Sequence, residues 1–164
     1  MRRPLQLSLA VSALAFATFT FAPAALANNA HFIGTPTCAK SLSAGLTCSG
    51  KAAGLGNGPT FASLTAEKVE ATYVCVNHGG NVAPGQPIVE QKVSGPTQEI
   101  TPHNGTISFS PNIPVPTPPS ATTDCPSGKW KVRLTSLTYT NVVLTVEQPS
   151  TGTVLTENFG TIDP

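Results

Sequence analysis

Glu70-Ala71-Thr72-Tyr73-Val74-Cys75-Val76 decides the fold: it alternates, carries a cysteine, and stops at the turn-forming run Asn77-His78-Gly79-Gly80-Asn81. β-Branched and aromatic residues at period two, closed by Asn and Gly, make a strand that runs into a turn. Ala71, Tyr73 and Cys75 share one face, and Thr72, Val74 and Val76 share the other, so the cysteine sits among residues able to face a core.

Toward the C-terminus, Cys125-Pro126-Ser127-Gly128-Lys129-Trp130 opens the longest β-prone run of the chain, Lys131 to Glu147. Trp130, Val132 and Leu134 alternate with Lys131, Arg133 and Thr135. Leu137 and Tyr139 carry the pattern to Asn141, and Val142, Leu144 and Val146 begin a new phase. The break predicts two successive strands; Gln148 to Gly152 then turns and Thr153 to Phe159 offers a closing strand.

Toward the N-terminus, Thr60 to Ala66 alternates imperfectly, and Glu67-Lys68 reads as a corner before the central strand. The β-branched neighbours argue against a helix over Leu64 to Ala71. Ala53 to Pro59, with three glycines, an asparagine and a proline, predicts a reversal. Before it, His31 to Gly34 is a short strand, Thr35 to Ser41 a turn around Cys38, and Leu42 to Gly50 a strand with Leu46 and Cys48 on one face.

Between these blocks, Asn77 to Gln86 reads as a loop, and Pro87 to Val93 as an edge strand whose Glu90 and Lys92 discourage sheet-to-sheet pairing. Glu99-Ile100 offers a brief pairing. Asn104-Gly105 is the strongest hairpin signature, and Thr106 to Ser110 follows with Ile107 and Phe109 on one face. Prolines in Pro111 to Pro119 remove ladder donors, which places residues 111–119 outside the sheets as a crossover loop, partly polyproline II. About eight or nine short strands without helical periodicity predict an all-β protein, a β-sandwich with Greek-key connections.

Residues 1–27 have the form of a secretory signal peptide: Arg2-Arg3, an apolar run from Leu5 to Phe21, and Ala25-Leu26-Ala27 as a small-x-small cleavage site. Residues 28–164 then form a single domain, expected to be secreted or extracytoplasmic, with no membrane span in the mature chain. Removal of Arg2 and Arg3 takes the formal net charge from +1 to −1, a balance that gives no pull toward nucleic acid or anionic membranes. Four cysteines in an exported chain read as two disulfides with three alternative pairings; sequence proximity favours Cys38 with Cys48, which leaves Cys75 with Cys125.

Ala53-Gly54-Leu55-Gly56, Cys75-Val76-Asn77-His78-Gly79-Gly80, Cys125-Pro126-Ser127-Gly128 and Leu137-Thr138-Tyr139-Thr140-Asn141 together resemble a group of small exported bacterial proteins with an immunoglobulin-like look and no assigned activity. The resemblance covers most of the mature chain. It implies an immunoglobulin-like sandwich in which Cys75 and Cys125 belong together, while Cys38 and Cys48 are a local addition. A weaker likeness links Leu42 to Val76 with the immunoglobulin-like apoproteins that carry enediyne chromophores, although the second cysteine pair is spaced far wider here. The antibody-type pattern is absent, since Trp130 follows Cys125 instead of lying between the two cysteines.

Catalysis needs convergent groups, and the sequence has no GxSxG, no HExxH and no glycine-rich phosphate loop opening a helix. His31, His78 and His103 fall in or beside loops, and the disulfides consume the thiols that could pair with them. No separation can be assigned to the carboxylates Glu90 and Glu99, or Asp124 and Glu147, from sequence. The cysteine spacings of 9, 26 and 49 intervening residues lack the compact pair of a zinc site, so neither a metal nor a cofactor is expected.

The reading is therefore a non-enzymatic binding or structural module. Its recognition element is the loop after the central strand, where Asn77, His78 and Asn81 offer hydrogen bonds, and its partner is another envelope or extracellular protein or a glycan. A carrier of a chromophore or lipid-like ligand in a sandwich cleft, and a secreted hydrolase without a recognised motif, are the alternatives.

Overall fold

A computed structural model describes residues 29–85, 87–120, 125–126 and 129–163. The expected signal peptide lies outside these residues. The described chain is all-β: β1 (His31–Phe32), β2 (Thr37–Ser41), β3 (Gly45–Ala53), β4 (Thr60–Val76), β5 (Val82–Pro84), β6 (Ile88–Ser94), β7 (Gln98–Ile100), β8 (Ile107–Phe109), β9 (Asn112–Ile113), β10 (Lys131–Gln148) and β11 (Thr153–Ile162). No helix among the described residues is long and apolar enough to cross a membrane.

The strands form two sheets. In the smaller, β3 is central: β1 and β2 pair with it along one edge, and β8 and β9 along the other. In the larger, the order is β11-β10-β4, and the far edge of β4 is met in turn by β7, β6 and β5. Leu46, Cys48 and Ala52 of β3, with Ile107, Phe109 and Ile113, join Leu64, Val69, Ala71, Leu137, Tyr139 and Leu144 of the larger sheet in one buried cluster. The result is sandwich-like. Lys40 of β2 closes one side by donating from Nζ to the Leu137 carbonyl at 2.6 Å.

At 17 and 18 residues, β4 and β10 are far longer than an ordinary strand of about 5–6 residues, and each replaces two shorter segments expected from sequence. The expected corner at Glu67-Lys68 and the expected strand break at Asn141 are one feature. Buried positions in β4 run Ala62, Leu64, Ala66 and then Val69, Ala71, Tyr73; in β10 they run Leu137, Tyr139 and then Val142, Leu144. Both alternations slip by one residue in the same row, because Lys68 faces Thr140 and Ala66 faces Val142. Lys92 and Asn141, at φ 53° and 51°, flank Glu67 from either side, and Gly160 at φ 65° pairs with Val142. Asn141 Nδ2 donates to Glu67 Oε2 across this row. The register of β4 with β10 and with β6 continues through this row, while that of β10 with β11 shifts on either side of Val142, the mark of a bulge. They also move Lys92 out of phase with Glu90, so the two do not share a face as regular alternation required.

Three other expectations are corrected. The turn around Cys38 is strand β2, because Cys38 lies directly opposite Cys48 in the β2–β3 ladder. The Asn77–Gln86 loop is shorter, since Val82–Pro84 pairs with Val76–Val74. Its single proline is tolerated on an edge. Residues 111–119 do not lie wholly outside the sheets: Asn112 and Ile113 keep their own donors and pair with Thr47 and Leu46, and the Pro111 carbonyl accepts from the Cys48 amide at 3.1 Å. Beyond Ile113 the segment is tied by buried tyrosines, with Tyr73 Oη donating to the Pro116 carbonyl at 2.8 Å and Tyr139 Oη to the Ile113 carbonyl at 3.4 Å. Burial raises the pKa of both phenols; that of Tyr139 is pushed up to about 12, with Tyr73 and Glu90 adding to the rise and a Leu46 backbone hydrogen bond opposing it.

The disulfides are Cys38–Cys48 and Cys75–Cys125. Because the Cys48 amide points to Pro111 on the opposite edge of β3, it is turned away from Cys38, which puts the bridge at a non-hydrogen-bonded pair where Cα atoms come closest. Two disulfides fit an oxidising, extracytoplasmic environment.

Candidate functional site

The site lies where β4 ends and β10 begins. Val76 pairs with both Val82 and Lys131, and Val74 with both Pro84 and Arg133. Directly paired residues lie on one face. Tyr73 and Cys75 are buried, so Val74 and Val76 face outward, and Lys131 and Arg133 face outward beside them. An apolar strip of Val76, Val74, Pro84 and the 57 % exposed Val82 is thus bordered by two cations.

A groove of about 440 Å³ opens at this end. Val76 and Val132 supply its apolar lining, Asn77 and His78 border it from the hairpin, and Lys129, Lys131 and Arg133 border it from β10. Among the described residues no carboxylate lines it. Among the described residues the ion pair is Lys68–Glu70, at 3.0 Å, and none joins Lys129, Lys131 or Arg133. The Cys75–Cys125 bridge ties the end of β4 to the chain shortly before Lys129.

Of the loop residues expected to recognise a partner, the structure divides the roles. Asn77 is used internally: its Oδ1 accepts from the Asn81 amide at 2.9 Å, its amide donates to the Asn81 carbonyl at 3.1 Å, and its carbonyl accepts from Gly80 at 3.0 Å. Gly80, at φ 78°, supplies the left-handed residue that this closure requires. His78 and Asn81 are exposed, and His78 lines the groove. Gly85 is not free to approach a partner, because a Cβ there would come within 2.5 Å of the Tyr73 carbonyl oxygen.

The groove cations are the residues that the loop-centred reading missed. The sequence did carry a sign of them: Lys129-x-Lys131-x-Arg133 repeats a cation every second residue at a strand entrance, which sets the strand positions on one face. Net charge hid it, since a chain near neutrality can still concentrate one sign locally.

The remaining histidines are placed apart from this site. His31 lies in β1, with Nδ1 2.6 Å from the Asn29 carbonyl, and His103 forms an isolated bridge with Thr106 around the Asn104-Gly105 turn. Asp124 lies outside the described residues. Among the described residues, no group of three or more His, Cys, Asp or Glu is arranged to hold a metal ion. No protein-family model matches the chain, and no curated protein or solved structure matches it.

Proposed function

We propose that the chain is a secreted, non-catalytic module with an immunoglobulin-like Greek-key sandwich, which acts by contact at or outside the cell surface. Its contact surface is the groove between the Asn77–Asn81 hairpin and the start of β10. The strand order supports the fold reading. With successive short strands on one edge counted as one row, the first, second and fifth rows of the chain share one sheet, and the third, fourth, sixth and seventh share the other. A constant-type immunoglobulin sandwich likewise sets its first, second and fifth strands against its third, sixth and seventh; its fourth strand joins the first group, whereas the fourth row here joins the second.

The observation that carries the functional reading is the groove bordered by Lys129, Lys131 and Arg133 at the end of β4 held by the Cys75–Cys125 bridge. Recognition surfaces of this type combine a rigid base with exposed side chains of one sign. A carrier role inside the sandwich finds less support, because Tyr139, Leu64 and Leu144 fill the space between the sheets with no exposure to solvent.

The test is capture from the envelope and medium of the producing organism. Wild type is compared with a variant combining His78→Ala, Lys131→Glu and Arg133→Glu; Asn77 is left intact because it closes the hairpin. Loss of the wild-type partners from a folded variant supports the reading. Recovery of the same partners places the contact surface elsewhere.

A further inference from the structure

The outer face of the larger sheet has two differently charged ends. Residues paired across an antiparallel ladder share a face. The ladders therefore place Val76 with Lys131 and Val82, Val74 with Arg133, and Glu70 with Val89 on this side. At the far end of the same strands, Phe61 pairs with Glu147 and Glu99, and Glu147 pairs with Val154. The β4 and β10 members of these pairs alternate with the buried positions that point into the core.

Exposed valines occur along the whole length of this face, Val82 at 57 %, Val89 at 50 % and Val154 at 56 %, with Val74, Val76 and Phe61 half-buried beside them. Apolar surface gathered on one face marks an interaction site more often than apolar residues scattered singly. The charge of the face is polarised as well. Lys131 and Arg133 stand at one end and Glu99 and Glu147 at the other, all exposed. Between the ends the charges cancel: Lys68 pairs with Glu70 at 3.0 Å, and the exposed Glu67 and Lys92 of the irregular row are opposite in sign. At a strand rise of about 3.3 Å per residue, Arg133 and Glu147 lie roughly 45 Å apart along β10.

Such a face is complementary to itself. We propose, resting on the contact role assigned to the groove, that its partner is a second copy of this chain: two copies stack by the outer faces of their larger sheets, with their strands antiparallel. The twofold axis lies in the interface and crosses the strands near Lys68 and Thr140, midway between the charged ends. Lys131 and Arg133 then stand over Glu147 of the second copy, Val74 and Val76 stand over its Phe61, and every contact occurs twice, as in any isologous pair. Sheets stacked face to face lie about 10 Å apart, which lysine, arginine and glutamate side chains span together. A parallel arrangement would set cations on cations and carboxylates on carboxylates, so the charges select one orientation. A band three strands wide and about 55 Å long offers of the order of 800 Å² per copy, the size of a standard specific interface.

The test is sedimentation equilibrium of the oxidised mature protein, with thermal unfolding recorded for every variant. Wild type is expected to dimerise in the micromolar range and more tightly at low salt than at high. Combining Lys131→Glu with Arg133→Glu should weaken the dimer about 100-fold, because each lost ion pair counts twice. Adding Glu99→Lys and Glu147→Lys to that variant exchanges the two ends and should recover most of the loss, which a merely structural effect of the first pair would not allow. Should the cation reversal fail to fold, Glu99→Lys with Glu147→Lys probes the same contacts from the other end and is expected to show the same loss. A wild type that stays monomeric, a dimer indifferent to either reversal, or a folded fourfold variant as weak as the twofold one overturns the proposal. The groove is judged separately: a monomer whose envelope partners are lost in the His78, Lys131 and Arg133 variant keeps the groove as a contact surface and removes only the second copy.

Discussion

Gln148 offers the sharpest test of the structure, because a fully buried amide holds an entire connection. Its Nε2 donates to the Gly56 carbonyl at 3.0 Å, the Gly58 carbonyl at 2.8 Å and Thr60 Oγ1 at 3.2 Å. Its Oε1 accepts from the Gly56 amide at 2.7 Å and from Thr151 Oγ1 at 3.1 Å. Gln148→Leu keeps the bulk and deletes all of these bonds. Three backbone groups of the Gly56–Gly58 stretch lose their partner, at about 1 kcal/mol each where water can partly reach them and more where it cannot. With a gain of under ~1 kcal/mol for the added apolar atoms, the net loss should be about 3 kcal/mol, or a Tm lower by roughly 10 °C for a chain of this size. Thr151→Val removes only the outermost bonds and should cost about 1 kcal/mol. Gln148→Glu adds a sign test. A carboxylate facing two carbonyls must stay protonated, so its folded pKa rises above the ordinary value of about 4.3. The folded state then binds more protons than the unfolded state, and stability, full below that value, falls as pH rises through the folded pKa. Urea denaturation of the variants and wild type provides the measurement. A Gln148→Leu loss below about 1 kcal/mol, or a Gln148→Glu variant as stable at pH 7 as at pH 4 relative to wild type, would refute the clamp.

Four further outcomes are expected. Loss of the Cys75–Cys125 bridge should cost about 4 kcal/mol and loss of Cys38–Cys48 about 2.7 kcal/mol by loop-closure entropy; non-reducing peptide mapping that joined Cys48 to Cys75 would contradict the ladder register itself. Lys92→Asn should raise stability by up to about 1 kcal/mol in urea denaturation, because lysine at φ 53° bears a left-handed penalty that asparagine largely escapes. Asn104→Val should lower stability by about 1–2 kcal/mol, since Asn104 and Gly105 both have positive φ in the two-residue turn closed by His103 and Thr106. In spectrophotometric titration Tyr139 should ionise well after a free phenol, near pH 12; because the folded state holds this proton longer than the unfolded chain does, stability should fall as pH climbs above about 10, and Tyr139→Phe should flatten that slope.

The sequence showed the short elements well where the local chemistry was decisive. Asn104-Gly105 closes a hairpin because few other pairs tolerate two positive φ values in succession, and Ile107 and Phe109 are buried together as their spacing requires. It misled where two different events leave the same trace. A slipped alternation marks a strand end or an irregular row within a longer strand equally well, and only the partner strands tell them apart: Glu67 and Lys92 slip in the same row as Asn141, and the ladders continue past it. Proline likewise removes one donor and leaves its neighbours free, so Asn112 and Ile113 pair within a segment whose composition argued against any sheet. The turn expected over Gln148 to Gly152 begins one residue later, because Gln148 is the last buried position in the β10 alternation of Val142, Leu144 and Val146, whose phase points inward.

The candidate site repeats this lesson at the level of function. Glycine and asparagine advertise a turn after the central strand, and the structure uses Asn77 to build that turn. The cations beside it are hidden in the chain-wide charge balance, which averages them with acidic residues elsewhere, such as Glu70 paired to Lys68. Lys131 and Arg133 are set by the strand period on the outer face, paired with Val76 and Val74. One sign is thus concentrated beside an apolar strip in a chain that is near neutral as a whole, and that placement, which the ladder with β4 supplies, is what distinguishes them from charges scattered over the surface.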